Sequence, residues 1–166
     1  RRYGIRATAT VNADIVDHHP QILEDALKRD WELMGHNLTN SVRLTGMSPE
    51  EELAVIHGSL DKLERFSGRR PRGWLGSGLA ETWNTLDVLA SAGVEYVSDW
   101  VNDDQPYYMD TSPNRLVYMP YSYEINDSPQ LYYRDRTIDE FEQTIEVVKE
   151  NGRSRVEGAL VEAVAA

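Results

Sequence analysis

The stretch IRATATVNADIVDHHPQILEDALKRDWELMGH, residues 5–36, decides the fold. Its first seven residues alternate β-formers with small side chains, which is typical of a buried strand, and they run into the helix cap Asn12-Ala13-Asp14. Pro20 suits a first helical turn, and the apolar stripe behind it ends near Asp30. The short apolar run Trp31–Gly35 predicts a second strand, which ends at His36. Strand, helix and strand together make one βαβ unit, the building block of a parallel sheet.

The same alternation continues along the chain. Ser48-Pro49-Glu50-Glu51 combines an N-cap serine, a proline and a glutamate at the third helical position, and it predicts a capped helix that Gly68 ends. Further strands are predicted at 72–75, 94–97 and 116–120, with helices at 79–92 and from 138 to about 151. In helix 79–92 we expect an inward face, formed by Thr82, Trp83, Leu86, Leu89 and Ala90. The aperiodic residues 99–115 predict a long loop.

Composition excludes several classes of function. Acidic residues outnumber basic ones by 28 to 17, so the formal net charge of −11 repels nucleic acid and anionic membranes. The chain has no cysteine, which excludes disulfides, zinc ribbons and thiol nucleophiles. No apolar run approaches the roughly 20 residues of a membrane helix, and no signal peptide opens the chain. We therefore expect a cytoplasmic α/β protein with no nucleic-acid or membrane partner.

Polar and aromatic side chains follow each predicted strand. In parallel sheets the active site lies at the carboxyl ends of the strands, so these residues are the candidates for one pocket. They are Asn12, His36, Asn40, Trp74, Asp99, Trp100, Asp103, Asp104, Glu124, Asn126 and Asp127. Each also has a structural interpretation: the tryptophans could belong to the core, and the aspartates could form a solvated acidic loop.

Four motifs on successive βα units carry a family resemblance. They are Gly35-His36-Asn37-Leu38-Thr39-Asn40-Ser41, Arg70-Pro71-Arg72-Gly73-Trp74, the run from Asp99 to Tyr107, and the run from Met119 to Asp127. Together they resemble the polysaccharide deacetylase (NodB-homology, carbohydrate esterase family 4-like) superfamily, specifically the branch that includes metal-independent allantoinase and related cyclic amide hydrolases. The resemblance covers about residues 3–141. It implies a parallel (β/α) barrel, partial or distorted in this chain.

The resemblance also implies a degraded metal site. In the wider family a His-x-x-x-His pair joins an upstream aspartate to hold a divalent metal, usually zinc. Here His36 matches the first histidine, but Asn40 stands at the second position, and asparagine is a poor zinc ligand. The arginine that the deacetylases place after the strand of the second motif corresponds to Leu75. The family's catalytic aspartates, on a strand before residues 5–11, and its late histidine have no counterpart in this sequence.

The leading hypothesis is therefore hydrolysis of a non-peptide C–N bond in a small cyclic amide or ureide. His36 would position water or the scissile carbonyl, or hold a metal if one binds, and Glu124 would be a desolvated acid–base carboxylate. Substrate binding is predicted for the other candidates except Asn12, namely Asn40, Trp74, Asp99, Trp100, Asp103, Asp104, Asn126 and Asp127. Two alternatives stay open: carbohydrate N-deacetylation, and a noncatalytic or half-barrel subunit that needs a partner chain.

The predicted domain covers residues 1–152, and residues 153–166 form a helical tail. Five predicted strands are fewer than the roughly eight that close a barrel. The first strand, residues 5–11, carries few charges that would discourage pairing at an open edge. We therefore expect that edge to be covered by another chain, in a homo-oligomer or in a complex with a complementary chain, or by the tail 156–166.

Overall fold

The computed structural model describes residues 6–103, 105–122, 125–126 and 128–147. The chain divides into two compact units. The first comprises Arg1–Asp99 with Met109–Leu116, and the second comprises Trp100–Tyr108 with Val117–Ala166. The predicted tail, residues 153–166, lies outside the described residues. None of the helices in the described ranges is long and apolar enough to cross a membrane.

Four parallel strands build the first unit. They are β1 (Thr8–Val11), β2 (Glu32–Gly35), β3 (Gly73–Trp74) and β4 (Tyr96–Val97), and their order in the sheet follows their order in the chain. In register, Val11 lies opposite Gly35, Gly35 opposite Trp74, and Trp74 opposite Val97. The predicted parallel α/β fold is confirmed, and all four carboxyl ends lie at one edge of the sheet.

Helices connect these strands: α1 (Ile15–His18), α2 (Pro20–Lys28), α3 (Pro49–Ser67) and α4 (Thr85–Ser91). The capping box predicted for α3 is present. Ser48 Oγ accepts a hydrogen bond from the Glu51 N–H at 3.3 Å, and the Glu51 carboxylate accepts one from the Ser48 N–H at 2.9 Å. Gly68 ends the helix at a φ of 72°, a left-handed conformation that favours glycine.

The prediction of a helix over 79–92 is wrong in its first half, because α4 begins only at Thr85. The Thr85 hydroxyl accepts the Thr82 N–H at 2.8 Å, and the Thr82 hydroxyl accepts the Asn84 N–H at 3.0 Å. Side-chain bonds of this kind compete with helical backbone bonds. Leu89 and Ala90 are buried as expected, but Trp83, expected to face inward, is 99 % exposed.

Two apolar clusters form the core of the first unit, and α3 contributes to both. Ile56 and Leu60 pack in one cluster with Trp74, and Leu63 packs in the other with residues of α2 and the first two strands. The indole of Trp74 lies across Gly35: a Cβ added there would stand 2.7 Å from Cε3 of Trp74. The missing side chain of Gly35 is therefore what lets the indole fill the core.

The second unit is rich in aromatic contacts. Strand β5 (Tyr107–Met109) is a neighbour of β6 (Leu116–Tyr118), so the stretch predicted as a loop over 99–115 contains a strand. The rings of Tyr107 and Tyr118 have centroids 4.8 Å apart. A π-helical segment at Ser128–Tyr133 and a helix over 138–147 follow.

Candidate active site

The four strand ends of the first unit bring polar groups together. The side-chain amide of Asn12, after β1, donates to the backbone carbonyl of His36, after β2. Ser77, after β3, donates its hydroxyl to the same carbonyl at 3.2 Å. Asp99 follows β4 and accepts the Gly76 N–H at 2.5 Å. The strand ends are thus tied to one another by side-chain bonds as well as by the sheet.

The ring of His36 is oriented by a backbone bond. Its Nδ1 bonds the carbonyl oxygen of Leu75. Because a carbonyl oxygen can only accept, Nδ1 carries the hydrogen, and in the neutral ring Nε2 keeps its lone pair. Nε2 is therefore the atom of this half-buried histidine that can gain or lose a proton.

Asp99 is a buried carboxyl, with only 6 % of the residue exposed. Burial is the largest influence on its ionisation and raises its pKa to about 6. Hydrogen bonds from the Glu81 side chain and the Gly76 N–H, together with the charge of His36, act in the opposite direction and lower the pKa. The carboxyl therefore exchanges its proton near neutral pH, as acid–base catalysis requires.

Glu81, a residue that the sequence reasoning missed, is the hydrogen-bond partner of the Asp99 side chain. Ionised carboxylates only accept hydrogen bonds, so a bond between the two requires a shared proton. Glu81 was assigned to the predicted helix 79–92, which hid it. The threonines at 82 and 85, typical of a helix start, were the signal that could have placed it before the helix.

Trp74 is fully buried and belongs to the core, yet its indole nitrogen lies at the site. Nε1 has no hydrogen-bond partner among the described residues, and no N–H or hydroxyl of those residues donates to Asp99 Oδ2. Both atoms face Gly76: a Cβ added to that glycine would stand 3.4 Å from Nε1 and 2.9 Å from Oδ2. A donor and an acceptor thus both lie close to the position that a Cβ of Gly76 would take.

The other predicted residues make contacts of their own. Asn40 is exposed, and its Oδ1 lies 3.5 Å from the Ser77 hydroxyl. Trp100, Asp103 and Asn126 belong to the second unit, where the Asp103 carboxylate accepts the Gln105 N–H and the Asn126 amide donates to Tyr121. Asp104, Glu124 and Asp127 lie outside the described residues, so their roles stay predictions.

The described residues do not fit the metal site of the wider family. The bond from Nδ1 to Leu75 leaves Nε2 of His36 able to ligate a metal, but the second ligand position of the motif is the amide of Asn40, a poor zinc ligand. Within the described ranges, no group of three histidine, cysteine, aspartate or glutamate side chains could hold a metal ion.

Comparisons with known proteins agree with this fold. Among solved structures, Puue Allantoinase matches at 20 % identity with a TM-score of 0.74, over 99 % of this chain and 53 % of that one. A probable polysaccharide deacetylase from Pseudomonas aeruginosa PAO1 matches at 21 % identity and a TM-score of 0.72, over the same shares of the two chains. The chain thus spans about half the length of these structures. Comparison with curated proteins found no match.

The family follows from the sequence itself. The family model described as Polysaccharide deacetylase matches residues 1–97. The matched range includes the first three strand ends and His36, and it reaches the end of β4. The chain belongs to the polysaccharide deacetylase family.

Proposed function

We propose that the protein hydrolyses a non-peptide C–N bond by opening the ring of a small cyclic amide or ureide. The observation that carries the proposal is a buried carboxyl, Asp99, close enough to the oriented His36 for the charge of the histidine to lower its pKa. Two titratable groups in different environments can divide the base and acid roles that amide hydrolysis needs.

Asp99 is the candidate base and His36 the candidate acid. As the oxygen of water bonds to the carbonyl carbon, one water proton passes to Asp99. As the C–N bond breaks, the Nε2 proton of protonated His36 passes to the leaving nitrogen. The products are a carboxylic acid and an amine, both on the opened ring, and transfer of the proton from Asp99 to His36 restores the starting state.

Carbohydrate N-deacetylation is the same bond cleavage on a different substrate. One observation favours the ring substrate: Asn40 stands where the deacetylases carry their second histidine ligand, which weakens the metal route. The predicted substrate contacts of Trp100, Asp103 and Asn126 belong to this proposal.

A partner strand at β1 is the second part of the proposal. Among the described residues β1 pairs only with β2. The carbonyls of Ala7 and Val11 accept N–H groups from the β2 side, so the alternate residues Thr8 and Thr10 direct their N–H and C=O groups outward. A groove of about 740 Å³ runs along this edge, with apolar walls from Ile15, Ile22, Leu23, Ala26 and Trp31. We propose that a further strand, from a second copy or a complementary chain, fills it.

The test compares allantoin, hydantoin and a cyclic imide with acetylated chitooligosaccharides. With the full-length protein we expect ring opening, and His36→Ala should lower kcat/KM at least about tenfold, or about 1.4 kcal/mol. His57→Ala, which alters a half-buried histidine on α3 that does not line the groove beside β1, is the matched control and should retain activity. Activity on chitooligosaccharides alone would favour carbohydrate N-deacetylation over ring opening. A fully active His36→Ala variant would refute the role of His36 as the acid.

A further inference from the structure

The face of Gly76 combines three features of a binding site for one small polar molecule. Trp74 Nε1 is a buried donor with no partner among the described residues, and Asp99 Oδ2 is a buried acceptor to which no N–H or hydroxyl of those residues donates. Both lie within 3.4 Å of the position that a Cβ of Gly76 would take. An unsatisfied buried polar group is costly, so two such groups beside one glycine call for a shared partner.

Backbone conformation does not require glycine at position 76. Its φ of −71° and ψ of 146° are ordinary extended values that any residue adopts. The missing Cβ itself is therefore what matters, since alanine would bring a carbon to 2.9 Å from Asp99 Oδ2. Glycine here lets Asp99 Oδ2, the Ala80 carbonyl oxygen and Trp74 Nε1 lie close against the backbone.

We propose that this face of Gly76 binds the nucleophilic water molecule of the reaction. The water oxygen accepts a hydrogen bond from Trp74 Nε1, and one of its hydrogens is donated to Asp99 Oδ2. A water molecule satisfies both groups at once, because it donates and accepts, and buried waters commonly serve otherwise unpaired polar groups in this way. The inference rests on the proposed function for its catalytic part, while the binding of water does not.

Glu81 sets the charge of the site around the water. Before the reaction the proton shared by the pair lies on Glu81, which donates to the ionised Asp99 and so lowers its pKa. When the water oxygen bonds to the carbonyl carbon, its proton moves to Asp99, and the O–H bond of water breaks as the O–H bond of the carboxyl forms. The pair then holds two protons and is neutral, which is less costly in this buried place than a pair with a negative charge.

The water is tested directly by nuclear magnetic resonance of the four tryptophan indole N–H groups, with the Trp74 signal assigned from the Trp74→Phe variant. We expect a cross-peak between the Trp74 Nε1–H and a long-lived water. Gly76→Ala should abolish that cross-peak and lower kcat at least about tenfold, with KM changed less than about threefold. The control is Gly58→Ala on α3, where an added Cβ meets nothing within 4 Å; the cross-peak and kcat should remain.

The outcomes separate the two proposals. Absence of the cross-peak in the unmodified protein overturns the water site. A cross-peak that is lost in Gly76→Ala while kcat stays unchanged overturns the nucleophilic role, as does a cross-peak that survives the substitution. If no amide substrate is hydrolysed at all, the proposed function fails and takes the nucleophilic role with it, whereas the cross-peak still decides whether the face of Gly76 binds water.

Discussion

Replacing Asp99 by asparagine should stabilise the protein at neutral and alkaline pH. The asparagine has nearly the same shape, its oxygen can accept the Gly76 N–H that Asp99 accepts now, and its amide can donate to Glu81. What the substitution removes is a negative charge from a place where burial penalises it. The buried carboxyl thus costs stability wherever it is ionised.

The magnitude follows from the pKa. Burial raises the pKa of Asp99 from 3.8 to about 6, roughly two units, and each unit corresponds to about 1.4 kcal/mol. The unfolded chain releases this proton near its ordinary pKa, whereas the native state holds it up to the raised one. The contribution of Asp99 to stability is therefore fully present below the unfolded value and is lost as pH rises through about 6. Above that pH the cost reaches about 3 kcal/mol.

Urea unfolding at several pH values measures this difference. The gain in free energy of unfolding from Asp99→Asn should be small near pH 4 and should approach about 3 kcal/mol near pH 8, with unchanged m-values. Asp103→Asn, which alters an exposed carboxylate, should show no such trend. A gain that is equal at both ends of the range would refute the burial argument. The variant should also lose hydrolysis, because it has lost the base.

Three further outcomes are expected. Trp83→Ala should change the free energy of unfolding by less than about 0.5 kcal/mol, because the side chain is 99 % exposed, and a larger loss in urea titrations would indicate a buried role. Asn40→His should leave zinc binding weak in elemental analysis unless another chain supplies a carboxylate; stoichiometric, chelator-resistant zinc in the unmodified protein would contradict this. Light scattering should find an oligomer or complex. The proposal of a partner strand would be refuted by a stable monomer in which the Thr8 and Thr10 amides stay protected from hydrogen exchange after residues 153–166 are deleted.

The parts of the fold that could be predicted are those fixed by interactions between residues close together in the sequence. Helix α3 was predicted with both ends, because Ser48 and Glu51 cap each other and Gly68 adopts the left-handed turn locally. The βαβ unit of the first two strands was predicted from alternation alone. Local bonds of this kind do not depend on the rest of the chain, and a sequence pattern records them directly.

The early part of helix 79–92 failed for a reason distant in sequence. Glu52, buried on α3, accepts hydrogen bonds from the hydroxyls of both Thr82 and Thr85, about thirty residues away. These bonds hold the segment in a turn, so Trp83 faces solvent although helical periodicity places it inward. No periodicity in residues 79–92 records the position of Glu52, since only the folded chain brings the two together.

The candidate site shows the same division between local and distant causes. His36 and Asp99 were predictable because they follow strands, and parallel strands end at one edge. Glu81 was not, because it reaches Asp99 from a turn that Glu52 fixes. Where deacetylases carry an arginine, this chain has Leu75, which contributes a backbone carbonyl to His36 and no positive charge to the carboxyls. Without such a charge, burial dominates and Asp99 holds its proton to about pH 6. A change that looks like the loss of a catalytic residue can therefore be what adjusts the remaining carboxyl for acid–base work near neutral pH.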